Sequence, residues 1–314
     1  MVSDIEIIRV GTDLADGNVI NAPLGGSIEN SPHNAIHLWV GDRRQRLNQD
    51  MGTFTTAARD PIFFAHHANI DRLWAVWETI PGGRREHPFD PDFLEAEFPF
   101  FDEHANLVKV KVRDALDNAK LGVSYPTVPT DEVWMNFEPV AISIGSAVAY
   151  AKHHYGLSDI SQFRHNSRRR HGVTESISLG DKFVSLVRRW PENSMYAAGP
   201  TNVSSSSSTT HEKVEVLVIE GLHFKRHKFV HLVVFVNLPD ANHTTPTTSA
   251  EYVGSFNVLP DPNPHKHVFV SAKFAIGDNI RRIGLVNETE VVITVLVKPH
   301  GVNVKIRGIE IVYL

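Results

Sequence analysis

The sequence predicts an α+β protein: a short helical region followed by a C-terminal antiparallel β-sandwich. Apolar residues recur at helical spacing from Phe63 to Trp77. Beyond Gly180 about seven short runs rich in β-branched and aromatic residues follow one another, with turn residues between them.

Residues 1–30 are turn-rich, with Gly11, Gly17, Pro23, Gly25 and Gly26 among polar residues. Ser31-Pro32 then opens a helix, since serine caps an N-terminus and proline at the first helical position forfeits no needed hydrogen bond. Gly41 stops it. Asp60-Pro61 opens a second, longer helix, ended by Pro81-Gly82-Gly83. Further on, Phe98–Glu103 reads as an extended segment and turn, Leu107–Val112 alternates like a strand, and Arg113–Leu121 reads as a short helix closed by Gly122. Residues 137–180 carry the basic run Arg164–His171 and no lasting amphipathic stripe, so they are expected to be a linker or insertion. Strand candidates are Phe183–Val187, Val214–Ile219, Phe229–Val236, Val253–Val258, Val268–Phe274, Glu290–Val297 and Val302–Val312, with Ser204–Ser208 as a surface loop.

Composition narrows the function classes. A net charge of -5 gives no reason to expect a nucleic-acid or anionic-membrane partner. No apolar run approaches the ~20 residues of a membrane span. The chain has no cysteine, which removes disulfides, thiolate zinc sites and cysteine nucleophiles. Its 18 histidines point toward a metal.

His33 and His37 are four apart, so their imidazoles share one helix face and can reach one metal. A third ligand is available from His66-His67. Adjacent helical residues point ~100° apart, so one of that pair faces the site. Three neutral imidazoles leave a coordination position open, and the pattern alone fits copper or zinc.

The surrounding residues are more specific. Ser31–Gly41 (SPHNAIHLWVG), Asp50–Phe54 (DMGTF) and above all Arg59–Trp74 (RDPIFFAHHANIDRLW) resemble the second copper-binding region of plant polyphenol oxidases, in the tyrosinase family. Phe100–Val108 and Arg113–Asp117 are similar to the segment after that family's copper core. Val216–Gly221 and Tyr252–Phe256 are similar to its C-terminal β-domain. The family's Lys-Phe-Asp-Val stretch reads His231-Leu232-Val233-Val234 here, and Val123-Ser124-Tyr125 lacks one member of an aromatic pair.

That resemblance implies a division into residues 1–80 (second copper region, the remnant of a four-helix type-3 copper core), 81–136 (post-core segment), 137–180 (linker) and 181–314 (a sandwich that shields the active site). It implies His33, His37 and His67 as copper ligands, with His66 a neighbour. Glu29 and Asn34 would hold a water that helps deprotonate a phenol, and Phe54 would overhang the copper and guide the substrate ring. The implied activity is oxidation of o-diphenols to o-quinones with O2. A complete centre uses two coppers, and this chain encodes the ligands of one. The family is usually delivered to the plastid thylakoid lumen, by a targeting segment that is absent here.

Overall fold

In the computed structural model the described residues are 19–20, 28–80, 87, 91–143, 145–157, 176–190, 214–261 and 267–313. The expected loop at Ser204–Ser208, the basic run Arg164–His171 and most of the turn-rich opening lie outside them.

The chain opens with β1 (Val19–Ile20), then a kinked turn at Glu29–His33 leading into α1 (Asn34–Val40). The long helix is α2 (Ile62–Thr79). A short helix α3 (Pro91–Glu95) precedes the hairpin β2 (Glu97–Phe101) and β3 (Leu107–Lys111), paired from Glu97↔Lys111 to Phe101↔Leu107. Helices α4 (Asp131–Met135) and α5 (Ala147–Tyr155) follow. Strands β4 (Ile177–Ser178), β5 (Lys182–Arg188), β6 (Glu215–Lys225), β7 (Val230–Val236), β8 (Tyr252–Val258) and β9 (His267–Ala275) come next. After α6 (Gly277–Arg282) come β10 (Glu290–Lys298), β11 (Lys305–Ile306) and β12 (Gly308–Tyr313).

The α+β expectation holds. One sheet runs β1-β9-β6-β11-β4, with β12 also on β6; the other runs β5-β10-β7-β8. Their pairings are antiparallel except β1 on β9. Between the sheets lies one continuous apolar core, with Leu217, Ile219, Leu222 and Phe224 from β6 meeting Leu232, Val234, Phe256, Ile293 and Val295. Strand β6 pairs with β12 over Glu215–Glu220 and with β11 at His223, and its register against β9 shifts between Ile219 and Leu222. Gly221 there has φ +59°, and a Cβ on it would come within 2.4 Å of the Arg307 side chain.

Two sequence expectations need correction. Arg113–Leu121 is not a helix beyond a single turn at Val112–Ala115. Asp117 Oδ1 accepts the amides of Ala119 and Lys120, at 3.0 and 3.2 Å, and this local bonding outcompetes the helix. The span expected to be a linker contains α5, capped by Ser146 Oγ and ended by Gly156 at φ 61°. Its buried stripe is only Ala147 and Ala151, packed on Leu186 and Val292, too small to register as amphipathic.

The post-core segment is tied to α2, and the residues just after it to the sandwich. Arg72 on α2 donates to Asp131 on α4 at 2.6 and 3.3 Å, and Tyr125 donates to Asp71. The buried Glu251 Oε1 accepts from the amides of Ile142 and Ser143, at 2.8 and 2.7 Å. No helix among the described residues is long and apolar enough to cross a membrane.

Candidate metal centre

Local chemistry sets the histidines in place. Ser31 is extended (φ -158°, ψ 119°) and His33 already helical, so His33 and His37 enter α1 one turn apart. Asp60 is also extended, and its Oδ1 accepts from Ile62 N at 3.1 Å, which caps α2 and directs His66 and His67 at α1. Gly41 and Gly52 allow the backbones after α1 to close up, since a Cβ on either would fall 2.4 Å from Asn48 O. That closure carries the Met51 carbonyl to the His37 ring.

Three imidazoles then share one arrangement. His37 Nδ1 lies 2.8 Å from Met51 O, His67 Nδ1 2.7 Å from Phe63 O, and His33 Nδ1 3.0 Å from Asn34 Oδ1. Each acceptor is a carbonyl oxygen, so each ring keeps its single proton on Nδ1 and presents a lone pair at Nε2. The Nε2 atoms converge, 3.0 Å from His33 to His67 and 3.2 Å from His33 to His37. Lone pairs at such distances repel unless a cation sits among them, so the donor set fits a metal.

Protonation is resisted for the same reasons. Burial, then the neighbouring rings of His37, His67 and His66, pull the His33 pKa down to about 4 against the bond to Asn34. His37 and His66 are lowered too, chiefly by burial. Neutral imidazole is the form a metal requires.

His33, His37 and His66 each have a ring nitrogen within 4.8 Å of the others, the one such group among the described residues. That group holds His66 rather than His67, so ring-nitrogen proximity alone favours His66 as the third member. Its Nε2, however, faces His33 O at 3.2 Å and donates there, while the Nε2 of His67 is turned to His33 Nε2. Asn34 is buried beside His33. Glu29 lies one turn before His33 and keeps solvent contact, so the desolvation that raises its pKa is partial. Phe54 is half exposed, and its ring lies 5.7 Å from the Arg226 guanidinium of the sandwich.

Several residues at the centre carried no signal in the sequence. Met51 contributes only a backbone oxygen. Asn257 on β8 receives the Asn34 Nδ2–H on its carbonyl at 3.0 Å, and Asn257 Nδ2 donates to Asn30 O at 2.5 Å. These pairs lie more than 200 residues apart, and neither half has a motif of its own. Only the departure at His231, which bonds Asn257, marked the place.

Residues 11–80 match the common central domain of tyrosinase, 88–140 the polyphenol oxidase middle domain, and 192–313 the chloroplastic polyphenol oxidase C-terminal domain. The chain belongs to the plant polyphenol oxidase family. It is 37% identical over 290 residues to a chloroplastic polyphenol oxidase of Malus domestica, covering 92% of this chain and 46% of that protein. Catechol oxidase B of Solanum tuberosum is 34% identical, with 92% and 45% covered. The structure of latent apple tyrosinase superposes with TM-score 0.69 at 33% identity, over 92% of this chain and 56% of that one. The chain thus spans about half the length of the curated relatives it matches. As a tyrosinase-family protein it implies copper, and the histidine cluster can hold a metal. The family motif also gains a structural reading, because Asp71 and Arg72 clamp the post-core segment while His66 pins α2 to the turn before α1.

Proposed function

We propose that this chain provides the second copper site of a polyphenol oxidase, with His33, His37 and His67 as ligands, for oxidation of o-diphenols to o-quinones with O2. The observation that carries the ligand set is the convergence of three Nε2 lone pairs whose Nδ1 protons are all committed to carbonyl oxygens. Copper, when bound, supplies the electron transfer and the oxygen chemistry.

The chain's own residues do the rest. Met51 O, Phe63 O and Asn34 Oδ1 fix the three rings. Glu29, its carboxyl raised above the ordinary range by burial, is the stronger base for it and accepts a phenol proton through a water shared with Asn34. Phe54, with its ring half exposed, would stack on a substrate ring. Residues 1–80 act as the copper region, 81–136 as a brace, 137–180 as a connection, and 181–314 as a cover whose Arg226 and Asn257 meet Phe54 and Asn34. The names of the relatives support a plastid location. Catechol oxidation removes two electrons and a single copper would accept one, so turnover would need a second metal held by residues beyond this cluster.

The test is copper titration of the purified chain followed by oxygen uptake with a catechol. Binding of about one copper, abolished by His67→Ala and kept by His66→Ala, is expected, with negligible oxygen uptake until a family-like first copper region is supplied. Loss of binding in His66→Ala but not His67→Ala would overturn the ligand set.

A further inference from the structure

We propose that Asn257, in the sandwich, is a positioning residue of the metal centre: it fixes the tautomer of His33 by holding the Asn34 amide in one orientation. The inference rests on the reading of His33 as a metal ligand.

A neutral imidazole has one N–H, and only its other nitrogen can bind a metal. For His37 and His67 the proton is held on Nδ1 by backbone carbonyls of Met51 and Phe63. A carbonyl can only accept, so those two tautomers are fixed within the helical region itself. His33 differs, because its Nδ1 faces a side-chain amide. An amide has an accepting end and a donating end. With Oδ1 toward the ring, the proton stays on Nδ1 and Nε2 is free. Turned over, the amide would point its NH2 at Nδ1 and drive the proton to Nε2. There it would sit between the Nε2 atoms of His37 and His67, where the metal belongs.

What opposes the turn comes from the sandwich. Asn34 Nδ2 donates to Asn257 O at 3.0 Å, and a turned amide would set two oxygens against each other in a site where Asn34 is 5% exposed. The Asn257 carbonyl is itself held. Its side-chain Nδ2 donates to Asn30 O, its backbone N–H points to Asn30 Oδ1 at 3.4 Å, and Asn257 is 2% exposed. Because Asn257 Nδ2 faces an oxygen, its Oδ1 faces His231, whose Nδ1–H donates to it across the β7–β8 pair. The order of donors runs from His231 to Asn257, from Asn257 to Asn30, and from Asn34 to Asn257, and every amide in the set has one permitted orientation. The sandwich is thus part of how His33 is made ready for metal, in addition to covering the site.

The experiment uses the full chain. Nitrogen-15 shifts of the metal-free protein report the tautomer of each histidine, and competition titration with copper(II) alone reports affinity. Wild type is expected to show Nδ1–H at His33, His37 and His67. Asn257→Ala is expected to convert His33 to a mixed tautomer, leave His37 and His67 unchanged, and weaken copper binding about tenfold, the low end of outer-shell effects. His231→Phe removes only the donor to Asn257 Oδ1 and shifts His33 the same way by less, which covers the case of Asn257→Ala failing to fold. An unchanged His33 in both variants, or equal changes in all three rings, overturns the proposal. A wild-type chain that binds no copper while His33 still responds would remove the metal reading and leave the positioning role standing.

Discussion

The sandwich and the helical region solve stability in opposite ways. Strands β6, β7 and β10 are buried along most of their length, and one apolar core joins both sheets. Helix α2, with 18 residues, buries only His66 and Trp77, while Ile62 and Phe64 on it and Trp39 on α1 stay exposed. With most of its apolar residues only partly buried, the helix gains less from the hydrophobic effect than the sandwich strands do. Polar contacts tie it in: Arg72 to Asp131, Tyr125 to Asp71, and His66 to His33 O. The metal centre therefore sits in the weaker half and leans on the stronger one.

The largest expected effect breaks that support. Phe224→Ala removes a side chain 2% exposed in the inter-sheet core and should destabilise the sandwich by about 3–5 kcal/mol. Metal affinity should fall with it, although Phe224 touches no histidine. Phe64→Ser, at a position 65% exposed, should change stability by no more than about 0.5 kcal/mol. Denaturant melts followed by strand circular dichroism, with copper titration of each variant, check both. Equal losses from the two substitutions would erase the contrast.

Arg72→Ala should act within the helical region alone. Arg72 holds the Asp131 carboxyl below its ordinary pKa, and without it the carboxylate keeps only the Trp134 Nε1–H at 3.0 Å. The brace should open, with earlier loss of α2 helicity and an unchanged sandwich transition. A single transition shifted as a whole would show that the two regions melt as one unit.

The same contrast explains what could be read in advance. Sandwich strands announce themselves because β-branched runs alternate with turns, and the structure lengthens β6 or splits the last run at Arg307 without moving the pattern. The copper motif was legible because its residues are contiguous on two helices. What stayed hidden is made of backbone oxygens and distant amides: Met51 O, Asn257 O and Asn30 O accept protons regardless of their side chains. Helix α5 was hidden because alanine burial leaves a faint stripe, and the region at 113–121 misled because Asp117 competes for helical amides.

A smaller effect concerns pH at the seam. Burial first, and then Lys298, lower the His231 pKa, against the bond to Asn257. A histidine lowered in the folded state binds fewer protons folded than unfolded, so its contribution to stability is full above the unfolded value of about 6.5 and declines as pH falls below it. His231→Gln should flatten that part of the decline below about pH 6.5, measured as the melting temperature of the metal-free chain. An unchanged slope would assign the acid sensitivity to the other buried histidines.

The smallest effect is at the far edge of the seam, where Arg226 lies over Phe54. Arg226 is 9% exposed, its pKa is lowered by burial, Asp261 stands 4.0 Å away, and Nε has no hydrogen-bond partner among the described residues. A cation desolvated to that degree recovers part of the cost from the ring face, about 0.5–1 kcal/mol for a partly exposed aromatic. Arg226→Ala should therefore loosen the sandwich from Phe54 by roughly two- to fivefold in opening equilibrium. Amide hydrogen exchange at Asn34 and Asn257 reads this directly, since both amides lie at the seam. Arg226→Lys should retain part of the protection, because the charge stays but the flat face that stacks on the ring is lost. If Arg226→Ala instead slows exchange, the unpaired Nε costs more than the ring returns, and the seam is held by Asn257 alone.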